Sequence, residues 1–470
     1  MNNKTPQALK AESSTSRSKS LLSLISGFVS LFILSTAYGY VWFGYYAERS
    51  KVQFDRRGHW LIIAVYAILL FVVTRMYGGY KVGNATRGNL IYSCVLSTLF
   101  VNAITYLQIS LLCLGFPNIL PMLVLCVVDI VIIIIWAAIV KALSYKLFPP
   151  QRMLMIYGTH LPEDLVSKLN TRPDRYNICS TICMDQGLDA VLERMADFDA
   201  VFICEVKSKH RNTLVKFCYD QNMRTYVVPK ISDIIIRGAD MLDLFDTPIL
   251  LSRNRGLSTE QRIAKRIFDI AFSSFAILIS SPIMLVCAIA IKICDGGPVL
   301  FRQDRCTIDG KVFSICKFRS MIVDAEKNGA RPAEKDDERI TSVGKVLRLT
   351  RLDELPQLFN IFKGDMSVVG PRPERVEHVE KFVKDIPEFN FRMRVKGGLT
   401  GYAQVVGKYN TTPLDKVKMD LIYIENYSFL LDLRLILMTI KIMFMKESTE
   451  GFDAPTEIPQ IDLDKNNDEN

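Results

Sequence analysis

Two adjacent carboxylates, Asp353 and Glu354, stand in the run Thr350-Arg351-Leu352-Asp353-Glu354-Leu355-Pro356-Gln357, with Arg348 and Arg351 just before them. Neighbouring acids cannot flank a sugar bond from opposite faces, as the acid and nucleophile of a glycosidase do. They can divide labour, one attacking while the other holds a proton or a metal ion. Pro356 suits the first turn of a helix, where its missing N–H costs nothing. Leu355, Leu358, Phe359 and Phe362 recur at helical spacing. The pattern predicts a helix over 353–363 with both acids at its positive end. Arg348 and Arg351 are expected to keep a carboxylate ionised near neutral pH. An acid pair that only caps and stabilises a helix is the competing reading.

The surroundings favour chemistry on phosphate. Residues 312–318 alternate like a strand, and Lys317-Phe318-Arg319-Ser320-Met321 sets two cations at its end. Further on, Arg372 is held between Pro371 and Pro373, so its backbone is restricted before any ligand arrives. A planar guanidinium presented this way suits bidentate contact with a phosphate. Lys317, Arg319, Arg348, Arg351 and Arg372 are therefore candidate phosphate ligands, with Glu374 a candidate substrate contact beside Arg372. Three sets of cations around two acids within about 60 residues carry more weight than any one of them.

These residues must be placed by the rest of the chain, and the rest is built for a membrane. The 470 residues are 49% hydrophobic, with a net charge of +9. Residues 447–470 hold eight acids and one base, so the remainder has 57 bases against 41 acids, a charge of +16. That excess suits an anionic membrane surface and phosphorylated substrates. No nucleic-acid-binding motif accompanies the charge, so nucleic acid is not an expected partner. Eleven scattered cysteines without C-x-x-C spacing read as reduced thiols facing a cytoplasm, and neither they nor the four histidines suggest a zinc site.

Residues 1–20 are polar and read as a disordered tail. Apolar stretches at 21–47, 59–77, 89–115 and 119–145 are each long enough to span as helices, giving four transmembrane helices within 21–147. Ten Lys and Arg residues flank the side that holds the N-terminus and the fourth exit, against four in the first loop, which places both termini inside. Few ionisable residues interrupt the spans; Asp129 is the exception, and a transport path would need more. From 152 to 250, short apolar runs at 153–157, 177–184, 200–204 and 225–228 alternate with helical stretches, a βαβ rhythm that implies a parallel sheet. The turn after the first run, Gly158-Thr159-His160-Leu161-Pro162-Glu163, has one glycine where a dinucleotide site needs three. A spacer or oligomerisation module, able to support a homodimer, is the fitting reading.

Residues 267–294 form a fifth apolar stretch, interrupted at Ser280-Ser281-Pro282. A proline at the midpoint removes a backbone hydrogen bond, and nearby serines can satisfy the groups it frees. Lys265, Arg266 and Lys292 bracket the stretch, as expected if both ends face one anionic leaflet. The reading is a re-entrant helix hairpin broken at Ser281 and Pro282, keeping the following domain on the side it started from. That domain runs from 263 to 446, with a charged loop at 325–340, helices at 353–363 and 374–385, and a final helix over 430–445 lying in the membrane interface. The acidic segment 447–470 reads as disordered.

Taken in order, the motifs resemble one family. Lys265-Arg266-Ile267-Phe268-Asp269, Lys317 to Met321, Leu352 to Gln357, Val369 to Glu374 and Gly397-Gly398-Leu399-Thr400-Gly401-Tyr402-Ala403-Gln404 are similar to the bacterial sugar transferases, the monotopic polyprenyl-phosphate phosphoglycosyl transferases. The likeness continues through Asp420 to Tyr427 and Leu431-Asp432-Leu433, about 180 residues in all. Thr307 departs from it, standing where the family usually has glycine. The resemblance implies the fold class as well: a four-helix transmembrane bundle, a Rossmann-like parallel α/β module and a monotopic α/β catalytic domain. It further implies transfer of hexose-1-phosphate from a UDP-sugar, glucose or galactose, to undecaprenyl phosphate at the cytoplasmic face of a bacterial cytoplasmic membrane. Asp353 would attack the β-phosphorus and release UMP, with Glu354 assisting and Mg²⁺ held by Asp353 and Glu354. The step would initiate exopolysaccharide, capsule or O-antigen synthesis. The alternative is a membrane-bound regulatory scaffold with an inactive transferase domain.

Overall fold

The computed structural model describes residues 6–443 apart from 53–54, 84, 253–255, 324, 326–336 and 409–410. The acidic segment 447–470 and most of the 325–340 loop lie outside the described residues. The chain divides into two compact units, one ending at Val228 and the other beginning at Pro229.

The first unit opens with α1 (Pro6–Val41), α2 (Arg56–Tyr77), α3 (Arg87–Leu112) and α4 (Leu120–Leu147), each packed on the next and α1 also on α4. Residues 6–20 are helical rather than disordered: Ala8, Leu9, Lys10, Ala11 and Glu12 are strong helix formers, and Pro6 sits at the first helical position. The four helices bury small polar side chains among Tyr38, Tyr66, Val101 and Ile133 and turn large apolar side chains outward. Ser26, Ser30, Ser93, Ser97 and Thr98 are buried between them, while Phe32, Leu111 and Ile139 face outward. Such an outward apolar surface suits hydrocarbon, and the small buried Ser and Thr let the helices approach closely. The Tyr66 hydroxyl donates to Asn102 Oδ1 at 2.9 Å, and Asn102 Nδ2 donates to Asp129 Oδ2 at 3.1 Å. Asp129 thus ties α4 to α2 and α3. Among the described residues five helices are long and apolar enough to cross a bilayer, these four and one in the second unit. The protein is a membrane protein.

The first unit continues as β1 (Arg152–Tyr157), α5 (Glu163–Asn170), β2 (Asn177–Cys183), α6 (Leu188–Met195), β3 (Ala200–Cys204), α7 (Ser208–Asp220) and β4 (Arg224–Val227). The strands form one parallel sheet in the order β2-β1-β3-β4. Met153 to Ile156 and all of β3 are buried, as strands covered on both faces must be. A side chain on Gly158 would stand 2.6 Å from the Glu205 carbonyl, so this glycine serves a close strand approach. Helix α5 opens with Glu163 and Asp164, charges that repel a pyrophosphate.

The second unit takes residues 229–250 from the module to which the sequence rhythm assigned them. Helix α8 (Ile231–Arg237) buries Ile234 in this unit's core, and β5 (Asp240–Leu244) pairs antiparallel with β6 (Thr247–Leu251). Next comes α9 (Thr259–Asp295), opened by a capping box between Ser258 and Gln261 and closed by left-handed Gly296. The expected break at Ser281 and Pro282 does not interrupt the helix. Pro282 leaves the carbonyl of Leu278 without its N–H, and the Ser281 hydroxyl donates to that carbonyl at 2.9 Å.

The remaining elements are β7 (Leu300–Cys306), β8 (Val312–Phe318), α10 (Ser342–Leu349), α11 (Gln357–Lys363), β9 (Ser367–Val369), α12 (Val376–Asp385), β10 (Gly398–Thr400), α13 (Tyr402–Val406), α14 (Pro413–Glu425) and α15 (Phe429–Met443). Strands β7 and β8 are antiparallel, β9 and β10 parallel. The core gathers Ile361, Met366, Val369, Val417 and Leu421. Helix α15 docks into it through Asp432, Leu435 and Lys441, leaving Leu430 and Met443 exposed.

Candidate active site

Asp353 and Glu354 belong to a separate 3-10 turn, Leu352–Glu354, and not to the helix that follows. Helix α11 starts at Gln357 with Pro356 as its cap residue, so the expected helix-dipole support is replaced by side-chain cations. Arg351, left-handed at φ 58°, ends the path of α10 and starts the turn. Leu352 and Leu355, on either side of the acids, pack toward Met284, Cys287 and Ile291 of α9. The acids are thereby held next to the apolar helix.

Glu354 is neutralised. Lys317 Nζ donates to its Oε1 at 3.1 Å and Arg372 Nη2 at 2.9 Å. Burial pushes its carboxyl up, but Arg372 and Lys317 overcome that and hold it well below the usual carboxylate range. Burial also lowers Lys317, which Glu354 opposes.

Asp353 differs. Its Oδ1 is buried with no hydrogen-bond partner. Burial, then the charge of Glu354, raise its pKa; Lys317, Arg348 and Arg351 pull it down without prevailing. The two arginines therefore do not keep Asp353 at an ordinary acidity, because desolvation and a like charge outweigh them. Glu354 takes two cations on its Oε1, whereas Asp353 Oδ1 accepts no hydrogen bond although Lys317, Arg348 and Arg351 act on it. That is how an attacking oxygen is poised for an anionic electrophile.

The other candidates divide. Arg348 Nε donates to Ser320 Oγ at 2.8 Å while its charge acts on Asp353. Arg319 is buried at the end of α9, where its Nη2 pairs with Asp295 while its Nη1 has no hydrogen-bond partner. Glu374 faces Arg392 at 3.6 Å and Arg305 at 4.0 Å, which places it behind Arg372 as part of its support. Burial raises Glu374, but Arg392 and the other cations around it leave it lowered.

The acid pair remains the candidate for holding a metal ion. Among the described residues no group of three or more His, Cys, Asp or Glu side chains could hold an ion. Mg²⁺ needs only one or two carboxylates when substrate phosphates and water complete its octahedron. The orphaned Oδ1 of Asp353 fits such a role, whereas Glu354 Oε1 already accepts from two cations.

A family profile described as bacterial sugar transferase matches residues 260–446. A UDP-glucose:undecaprenyl-phosphate glucose-1-phosphate transferase of Caulobacter vibrioides is 37% identical over 183 residues, 38% of this chain and 68% of the relative. The chain belongs to the bacterial sugar transferase family. A protein of the same description from Klebsiella pneumoniae is 38% identical over 266 residues, 56% of each chain. A UDP-N-acetylgalactosamine-undecaprenyl-phosphate N-acetylgalactosaminephosphotransferase of Aeromonas hydrophila is 44% identical over 180 residues, 38% of this chain and 43% of the relative. The chain spans about half the length of the Klebsiella and Aeromonas relatives.

Several motif residues of this sugar transferase turn out to hold the site from behind. Lys265 Nζ reaches Asp432 at 2.6 Å and the Tyr423 hydroxyl at 3.1 Å, and that hydroxyl donates to Asp432 Oδ1 at 2.8 Å. Asp269 Oδ1 accepts from Ser367 Oγ and Val368 N, fixing β9 to α9. Asn360 bonds Cys316 N and Ser314 O of β8, locking α11 to the strand that carries Lys317. Arg392 and Arg305, which the sequence did not single out, donate to the carbonyls of Arg372 and Pro373 at 3.0 Å each. Arg392 is itself paired with buried Asp420 at 2.8 Å. No local pattern pointed to either arginine, because their partners are far away in sequence. Thr307 replaces the family's glycine without strain, at φ −126°, and its hydroxyl bridges the Asp365 carbonyl and Gly397 N–H at 3.1 Å. A side chain on Gly398 would stand 2.1 Å from Gly370 N, so the β9–β10 crossing depends on that glycine.

Proposed function

We propose that this protein transfers a hexose-1-phosphate from a UDP-sugar to undecaprenyl phosphate and releases UMP. The observation that carries the reading is the contrast within the acid pair: Glu354 bound by Lys317 and Arg372, Asp353 buried with Oδ1 unpartnered. A carboxylate oxygen of Asp353 forms a bond to the β-phosphorus. The bond from that phosphorus to the bridging oxygen breaks, and UMP departs with the electron pair. A phosphate oxygen of the lipid then attacks the same phosphorus and the aspartate leaves, giving undecaprenyl-diphosphate-sugar. The sugar–oxygen bond is never cut, so anomeric configuration is retained. Lys317, Arg372, Arg348 and Arg351 stabilise the developing phosphoryl charge. Mg²⁺, when bound, neutralises diphosphate charge that would repel the nucleophile.

The membrane arrangement follows from α9. A span needs about 20 residues in hydrocarbon, free of the domain on either side. Phe268, Phe272, Ala276 and Ile277 pack on the core, and Met284, Cys287, Ala288 and Ile291 pack beside the acid turn. Only residues 278–283 intervene, far too few to cross. Ile267, Phe275, Leu278, Leu285, Val286 and Ile293 are exposed on the other side of α9. These facts support an unbroken α9 held in one leaflet, with α1 to α4 as the spanning bundle; the Lys and Arg count of the loops argues for the cytoplasmic face as the side of the acid turn. The transfer would be the first membrane step of exopolysaccharide, capsule or O-antigen synthesis.

UDP-glucose is the first donor to try, because the Caulobacter and Klebsiella relatives carry that sugar in their names. The test is UMP release by the purified protein with Mg²⁺, undecaprenyl phosphate and a panel of UDP-glucose, UDP-galactose and UDP-N-acetylgalactosamine. Release with one donor is expected; no release with any overturns the reading.

A further inference from the structure

A cavity of about 1290 Å³ lies wholly within the first unit, between the membrane helices and the parallel module. The membrane helices and their loops contribute Lys19, Arg75, Lys81, Arg87 and Lys141 to its wall. Arg172, Arg175 and Arg224 contribute from the module. One carboxylate, Asp174, joins these eight cations. It is already engaged by Arg172, whose Nε and Nη2 donate to it at 2.8 Å and 3.0 Å. Those hydrogen bonds hold Asp174 below its usual range, so it stays ionised and cancels a single charge.

Topology accounts for only part of this. Basic residues in the short loop between α2 and α3 and after α4 follow from orientation in the membrane. Arg172, Arg175 and Arg224 lie well beyond the last of the four helices, in a folded module, and have no such reason to converge there. Lys19 lies within electrostatic range of Arg175 and Arg224, and Lys141 within range of Arg172 and Arg175. Like charges gathered in a half-buried wall repel unless an anion joins them. The same cavity has an apolar wall: Leu24, Phe28 and Leu31 of α1 and Phe71 of α2. Its occupant must combine negative charge with hydrocarbon.

We infer that the N-terminal unit binds a phosphorylated lipid, its phosphate against Arg175, Arg224 and Lys141 and its chain along Leu24, Phe28 and Phe71. None of the transferase residues takes part, so the inference stands apart from the proposed reaction. Two sources share this chemistry, a polyprenyl phosphate and an anionic phospholipid.

The test uses the full chain in nanodiscs with three photoreactive probes: polyprenyl phosphate, phosphatidylglycerol and phosphate-free polyprenol. Adducts are mapped by peptide. Labelling within 22–31 by one or both phosphorylated probes, and not by polyprenol, is expected, and the probe that labels identifies the source. Arg175→Gln/Arg224→Gln should weaken labelling there about thirtyfold, at about 1 kcal/mol per lost cation. Hydrogen-exchange protection of β1 and β3 should match wild type in that variant, which shows that the first unit remains folded. Wild-type labelling of 22–31 in the double variant, equal labelling by polyprenol, or full displacement by UDP alone each overturns the inference.

Discussion

The parallel module and the transferase domain are held together in opposite ways. Between 152 and 228 the buried polar side chains are Ser180 and Thr181, and the core is otherwise Met, Leu, Ile, Val, Phe, Ala and Cys. The transferase domain buries Lys265, Asp269, Arg319, Arg392, Asp420, Asp432 and Lys441. Its sheets are two-stranded, so little of its order comes from ladders. Buried charge is costly to desolvate and stabilises only when fully paired. A domain that retains so much of it uses direction where the module uses area. Lys265–Asp432 and Asp269–β9 join the membrane helix to the core, and Arg392–Asp420 fixes the backbone that presents Arg372.

The largest effect that would break this contrast is chemical. Asp353→Asn should lower UMP release at least about a thousandfold with the melting temperature unchanged, since removal of a nucleophile costs that order. Near wild-type turnover would show that the unpaired carboxylate does not attack. Next comes the scaffold. Asp432→Asn leaves the Lys265 ammonium buried beside a neutral amide and should cost about 3–5 kcal/mol, measured by hydrogen exchange of the second unit in micelles. Lys265→Met/Asp432→Leu, which removes both charges, should recover most of that loss. A double variant as unstable as the single one would mean that the pair is more than mutual compensation. Ile156→Ala in the module has no charge to strand and should cost about 2–5 kcal/mol from cavity formation alone.

Titration sharpens the contrast within the acid pair. Asp353 is raised, so its protonated form extends to higher pH than for an ordinary aspartate, and the rate should climb as it deprotonates. Glu354→Gln removes a like charge and frees Lys317 and Arg372, both of which favour the Asp353 anion. The acid limb of the residual rate should therefore move to lower pH; a move upward would reverse the assigned electrostatics. Glu354 itself is depressed below 4.5, so its stabilisation is complete above that pH and is lost as acid approaches its lower folded value. The Gln variant should lack that acid-side loss of stability in thermal melts. The smallest effect belongs to Arg319. Because it pairs with Asp295, Arg319→Gln should change KM for the UDP-sugar less than about threefold while lowering the melting temperature. A tenfold rise in KM would return Arg319 to the phosphate site.

Much of this was legible from patterning. Period-two and period-3.6 runs located α1 to α4 and the strands and helices of the module, because their burial repeats with the backbone. The boundary at 228 was not, since α8 looks like a continuation of the rhythm and only its packing of Ile234 on the second core reveals its allegiance. The helix expected over 353–363 also divided in two, because left-handed Arg351 and the 3-10 turn answer to packing on α9 that no local signal reports.

By itself the sequence determined which residue types could act on phosphate, how many stretches suit a membrane and where the strands of the parallel module lie, all local properties of composition and spacing. Only the tertiary structure decided that Glu354 is paired and Asp353 is not, that Arg319 belongs to Asp295, and that Arg392 and Arg305 stand behind Arg372. Electrostatic roles depend on distance and desolvation, and both are set by chain segments brought together from opposite ends of the domain.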